Sequence, residues 1–173
     1  AIIVLNWNGL KDTIECLDSL MKIEYPNYHI IVVDNGSSDG SVNKIEEWIR
    51  GKDNVELVRL ERNIGYAAGN NAGLKKAIGM QDIEYVMVLN NDTIVEKSFL
   101  TPLLTPFGTF KDCGLAGPKI FDPISGKQIQ GPLPERIDFF TILLFFTPLK
   151  ALFLRTPLIR RYRIKAPGPQ SVY

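Results

Sequence analysis

Cysteine and histidine are scarce: Cys16, Cys113 and a single His in 173 residues. That excludes a disulfide framework, and no Cys/His spacing suits a zinc site. A reducing compartment follows, so a cytoplasmic location is expected. The sequons Asn35-Gly36-Ser37 and Asn91-Asp92-Thr93 are then expected to stay unmodified. No uninterrupted apolar run reaches the ~20 residues of a membrane span, and no signal peptide is visible. The net charge is +1, without the basic excess of a nucleic-acid binder. No G-x-G-x-x-G follows the first apolar run; Asn6-Trp7-Asn8-Gly9 stands there and argues against a dinucleotide dehydrogenase. Acidic residues are also missing after Asp138, while Lys150, Arg155, Arg160, Arg161, Arg163 and Lys165 all follow.

What is present is an ordinary globular composition, 45% apolar and 23% charged. Short apolar runs at 2–5, 30–33, 55–60 and 85–89 read as strands buried on both faces. Between them lie helical patterns: Leu10, Ile14, Leu17, Leu20 and Met21, then Val42, Ile45 and Ile49, then 65–78. Phe99, Leu100, Leu103 and Leu104 mark another helix, and the 34–40 loop offers several N-cap residues. Alternating strand and helix predicts an α/β fold, a mostly parallel sheet with helices on both faces. A hairpin is expected over 119–130, turning near Ser125-Gly126.

Ligands of such sheets sit at the C-terminal strand ends, so the residues there are the candidates. Asp92, in Asn90-Asn91-Asp92-Thr93, is placed to hold a divalent cation, Mg²⁺ or Mn²⁺, against a diphosphate; in isolation it is as readily a turn former. Asp34 can accept the imide N–H of a pyrimidine, with Trp7 as a flat surface beside it or simply a core aromatic. The 62–73 stretch is rich in Gly and Ala. It reads either as a helix packed tightly on the sheet or as backbone opened to a ligand, with helix amides toward an anion.

Four segments in this order, Leu5-Asn6-Trp7-Asn8-Gly9, the Val33-Asp34-Asn35-Gly36-Ser37-Ser38-Asp39-Gly40-Ser41 loop, Asn63-Ile64-Gly65-Tyr66-Ala67-Ala68-Gly69-Asn70-Asn71 and Leu89-Asn90-Asn91-Asp92-Thr93, resemble family 2 glycosyltransferases of the GT-A fold, closest in flavour to the rhamnosyltransferase-like group. The resemblance covers roughly 1–130. It implies a Rossmann-like core at 1–132 that binds a UDP- or dTDP-sugar, and transfer to a glycan or lipid-linked acceptor in surface polysaccharide synthesis. It implies nucleobase binding by Asp34, a base pocket at Trp7, and nucleotide contacts among Asn6, Asn8, Asn35, Ser37, Asp39, Asn63, Gly65, Asn70 and Asn91. Asp92 takes the last acid of the D-x-D metal motif, whose first acid is here Asn90. That change shifts cation affinity toward the bound diphosphate.

Such families carry an acidic catalytic base in a further segment, expected beyond Tyr173. The chain is therefore expected to be truncated in its acceptor half, binding nucleotide but turning over poorly; a binding module without chemistry is the competing reading. Residues 133–173 would begin the acceptor side. Within them, 137–165 is apolar then basic, readable as a buried or lid helix pair, or as an interfacial segment meeting anionic lipid at the inner face of the membrane. Left exposed, it would favour a dimer. A nucleotidyltransferase would want a Gly-rich basic loop after the first strand, a glycoside hydrolase paired carboxylates, and a phosphatase an acid where Asn6 stands.

Overall fold

A computed structural model describes residues 1–122 and 124–128. The elements run β1 (Ile2–Asn6), α1 (Leu10–Leu20), β2 (Ile30–Asp34), α2 (Ser41–Ile49), β3 (Val55–Arg59), α3 (Tyr66–Ile78), β4 (Met87–Asn90) and α4 (Leu100–Thr109). All pairings are parallel, in the order β3-β2-β1-β4. Every residue of β1 and β2 is buried, which is why these strands are continuous apolar runs.

Alternation divides the core in two. Ile2, Val4, Ile30 and Val32 face one side, where Cys16, Leu17 and Leu20 of α1, Ile45 of α2 and Leu100 of α4 cover them. Ile3, Leu5, Ile31 and Val33 face the other, against Ala77 of α3. Helices thus cover both faces, as the strand–helix alternation requires.

Successive strands step from β1 to β2 to β3, then the chain returns to the far side of β1 to lay down β4. This reversal leaves a crevice at the C-terminal ends of β1 and β4, the usual ligand position in open α/β sheets. Register brings Asn6 beside Asp34, and Leu5 beside Asn90.

Some boundaries differ from expectation. β4 runs from Met87 to Asn90 rather than over 85–89, because Asn90 pairs with Leu5 and becomes the last strand residue. β3 stops at Arg59, whose guanidinium reaches the carboxylate of Glu46. The cap of α2 falls within the 34–40 loop: Gly40 at φ 81° occupies the position, and Asp39 bonds the first-turn amide from one residue further out.

Ala1–Pro118 makes one compact unit, and the described residues from Lys119 on belong to a second. There the expected hairpin has a single antiparallel bridge between Phe121 and Gln128, with Gly126 N donating to Asp122 O at 2.9 Å. Asp122 spends Oδ1 on the amides of Ile124 and Ser125. The expected boundary at 132–133 and the 137–165 segment lie outside the described residues. No helix among the described residues is long and apolar enough to cross a membrane.

Candidate functional site

The loops after β1 and β2 are fastened together from below. Asn6 is fully buried. Its Nδ2 lies 2.8 Å from Asp34 Oδ1, 3.0 Å from Ser41 Oγ and 3.1 Å from Ser37 Oγ, three acceptors for two hydrogens. Its Oδ1 accepts from Thr13 Oγ1 at 2.8 Å. Asp34 is 1% exposed, and its Oδ2 accepts from the Ser37 amide at 2.9 Å. The carboxylate expected at the nucleobase therefore sits beneath the crevice, where it braces Asn6 and the turn at Ser37. Asn8 closes the lattice from above. At φ 51°, a left-handed value that Asn tolerates, its amide donates to Ser37 Oγ at 3.0 Å and its Oδ1 accepts from Ser38 N at 2.8 Å.

Asp39 is exposed at the start of α2 and outside the crevice. Its Oδ1 accepts from both the amide and the hydroxyl of Ser41, and chiefly the hydroxyl holds its carboxyl below the usual range. Asn35, 2% exposed, ties β2 to the next loop: Nδ2 donates to Asn63 Oδ1 at 3.0 Å and to Gly65 O at 3.3 Å, and Oδ1 accepts from Ile64 N. Gly36 lies under this junction at φ 71°, where an added Cβ would come within 2.4 Å of Arg62 backbone atoms.

The glycines of α3 serve packing. A Cβ on Gly69 would lie 2.7 Å from Leu5 Cδ1, and one on Gly73 2.6 Å from Ile3 Cγ2, so both face the sheet. The reading of a helix packed tightly on the sheet holds for them, and the reading of backbone opened to a ligand does not. Asn70 is also turned inward, 6% exposed, donating to Tyr66 O.

The crevice itself measures about 460 Å³, within the range of small-molecule sites. Leu5 and Trp7 come from the β1 end, Asn35, Asn63, Gly65 and Tyr66 from the β2–α3 side, and Asn90, Asn91 and Asp92 from β4. Of the expected residues it gathers Trp7, Asn35, Asn63, Gly65, Asn91 and Asp92; Asn6, Asn8, Asp34, Ser37, Asp39 and Asn70 lie outside the lining. Tyr66 was not among the expected contacts, and Asn90, expected at the first position of the D-x-D motif, also lines the crevice. They meet across the opening, the Tyr66 hydroxyl donating to Asn90 Oδ1 at 2.7 Å. Trp7 is 55% exposed, an aromatic face offered to a planar group.

Asp92 is the only carboxylate in the lining, is exposed, and makes no hydrogen bond or ion pair among the described residues. The described residues hold no group of three or more His, Cys, Asp or Glu side chains able to cage a metal. One free carboxylate beside side-chain amides fits a hard cation that takes most of its ligands from a diphosphate and water, as Mg²⁺ does, and does not fit an all-protein metal cage.

The family model for glycosyl transferase family 2 matches residues 1–159. The chain belongs to this family. Among relatives, Glycosyltransferase GlyG of Streptococcus pneumoniae is 29% identical over 103 residues, covering 60% of this chain and 33% of GlyG. Poly-beta-1,6-N-acetyl-D-glucosamine synthase of Staphylococcus epidermidis is 36% identical over 90 residues, covering 52% and 21%. The crystal structure of S. aureus TarS 1-349 in complex with UDP superposes with a TM-score of 0.54 at 27% identity, over 64% of this chain and 32% of TarS. The chain thus spans from about a fifth to a third of these family 2 relatives. None of the three bears a rhamnosyl name.

Proposed function

We propose that the crevice binds the nucleotide diphosphate of an activated sugar, and that the protein transfers this sugar with inversion to a glycan or lipid-linked acceptor in surface polysaccharide synthesis. The observation that carries the reading is the presence of Trp7 and Asp92 in one crevice at the strand reversal. In this reading Trp7 stacks on the base, worth about 1–3 kcal/mol in comparable base–aromatic contacts. Asp92 supplies a carboxylate oxygen toward a divalent cation on the diphosphate, with Asn90 and Asn91 beside it. When bound, that cation offsets the charge developing on the leaving group. Asn35 and Asn63 hold the third loop in place, and Asp34 and Asn6 set the first two. The UDP complex of TarS supports a pyrimidine donor, a UDP- or dTDP-sugar.

Inverting transfer needs a base within hydrogen-bond reach of the acceptor hydroxyl. Asp92 is committed to the cation in this reading, and the lining offers no second acid. This favours a division in which 1–132 binds the donor and the base comes from residues outside the lining. Calorimetric titration with UDP, dTDP, GDP and NAD, each with and without Mn²⁺, tests the reading. Binding of a pyrimidine diphosphate that strengthens with Mn²⁺ is expected. Equal binding of NAD, or no binding of any, would overturn it.

A further inference from the structure

Among the described residues Asp92 makes no hydrogen bond of its own, so its position depends on the residues around it. Those are held by α1. Thr13 Oγ1 accepts from Asn91 Nδ2 at 3.0 Å while donating to Asn6 Oδ1 at 2.8 Å. One turn on, Cys16 Sγ donates to Asn90 O at 3.8 Å. Ser19 Oγ accepts from Val95 N at 3.2 Å and donates to Cys16 O at 2.7 Å. Three side chains spaced i, i+3, i+6 thus fasten the segment at points on both sides of Asp92. All three are buried, Thr13 and Cys16 completely.

We infer that Thr13, acting through Asn91, is a positioning residue that fixes the peptide presenting Asp92 to the cation and diphosphate. Among the described residues its hydroxyl is the one group that bonds both the Asn6 lattice under the base side and the Asn91 amide on the cation side. Two bonds of opposite sense leave that hydroxyl one orientation: its hydrogen goes to Asn6, so a lone pair must face Asn91. Valine has a similar shape but can satisfy neither partner: it strands the buried Asn6 carbonyl and releases the half-buried Asn91 amide. Serine can satisfy both. A second feature reports on the same contact from the opposite direction. Gly9 precedes α1 at φ −133°, a value open to any residue, yet a Cβ there would lie 2.8 Å from Asn91 Nδ2. Alanine at position 9 pushes the amide off Thr13 while leaving the hydroxyl in place.

This inference rests on the proposed reading of Asp92, and the test separates the two. UDP affinity is measured with and without Mn²⁺ on the full chain for wild type, Thr13→Ser, Thr13→Val and Gly9→Ala, alongside thermal melts. Expected is an approximately tenfold loss for Thr13→Val and Gly9→Ala in the presence of Mn²⁺. Without Mn²⁺ their affinities should stay within about twofold of wild type, and Thr13→Ser should recover the Mn²⁺ effect. A parallel loss in both conditions, or wild-type behaviour of both variants, would overturn the positioning role. So would Thr13→Ser matching Thr13→Val. If Thr13→Val does not fold, Gly9→Ala decides alone. A wild-type chain that binds UDP without any gain from Mn²⁺ overturns the reading of Asp92 and this inference with it, and needs no variant to be seen.

Discussion

The two walls of the crevice are built on opposite plans. On the β1–β2 side, Asn35 in the lining and Asn6 and Asp34 behind it are 2%, 0% and 1% exposed, and their side chains bond one another or the loops above. At the β4 edge Asp92 stands exposed and without a partner among the described residues, and Tyr66 of α3, 60% exposed, reaches Asn90 from across the opening. One wall spends its polar groups on rigidity, which removes reorganisation at the moment of binding. The other keeps its groups available. Buried carboxylates and exposed ones therefore do different work here, although both stand at strand ends.

Several perturbations can break or sharpen that contrast. The largest concerns the support under the open wall. Burial, and secondarily the nearby Asp92 carboxylate, push the Cys16 thiol from an ordinary 9.0 to about 12. Its thiolate fraction at pH 8 is then roughly a thousandfold below that of an unperturbed thiol. Iodoacetamide should label Cys113 and spare Cys16 until the chain unfolds; equal labelling would mean the support is not sealed. The sign of the linked stability follows. Thiol protonation favours the fold fully below pH 9.0 and less as pH climbs toward 12, so melting temperature should fall through that alkaline window.

Next comes the rigid wall. Gly36→Ala places a side chain at φ 71° against the backbone at Arg62. A loss of about 3 kcal/mol is expected in denaturant melts. A loss below ~0.5 kcal/mol would show that this wall adapts after all. Asp92→Ala should do the reverse: a melting curve within about 0.5 kcal/mol of wild type, as for an exposed side chain, with about tenfold weaker UDP binding in Mn²⁺.

The smallest effect lies away from both walls. Glu56 of β3 is held below the usual carboxylate range mainly by the Lys76 ammonium at 2.7 Å, with His29 on its other side. A depressed carboxylate stabilises the fold above its unfolded pKa, and that contribution is lost as pH falls through the folded value. The pair is surface-exposed, so Glu56→Gln should flatten the acid limb by less than ~1 kcal/mol and leave UDP affinity untouched.

Much of this architecture was readable in the chain itself. Apolar runs at 2–5 and 30–33 announce strands covered on both faces, and the alternation with helical patterns leaves a parallel sheet as the simplest outcome. Asp92 could be singled out because it follows a strand at the ligand-bearing edge. Asp34 could not be sorted from it by the same rule. What separates them is the company each keeps: an amide three residues on and Asn6 across the sheet consume the first, and nothing consumes the second. The α3 glycines did carry a usable signal, since Gly69 and Gly73 share one helix face by their spacing of four, which points to contact with a neighbouring element. The bond between Tyr66 and Asn90 left no such trace. Their meeting depends on where strand pairing ends, one residue later than the apolar pattern indicates.

The most direct test is a crystal of the chain soaked with UDP and Mn²⁺, with the metal located by its anomalous scattering. The account predicts uracil against Trp7 and a manganese peak bonded to both the diphosphate and the Asp92 carboxylate. A vacant crevice under saturating nucleotide, or a metal peak remote from Asp92, would contradict it.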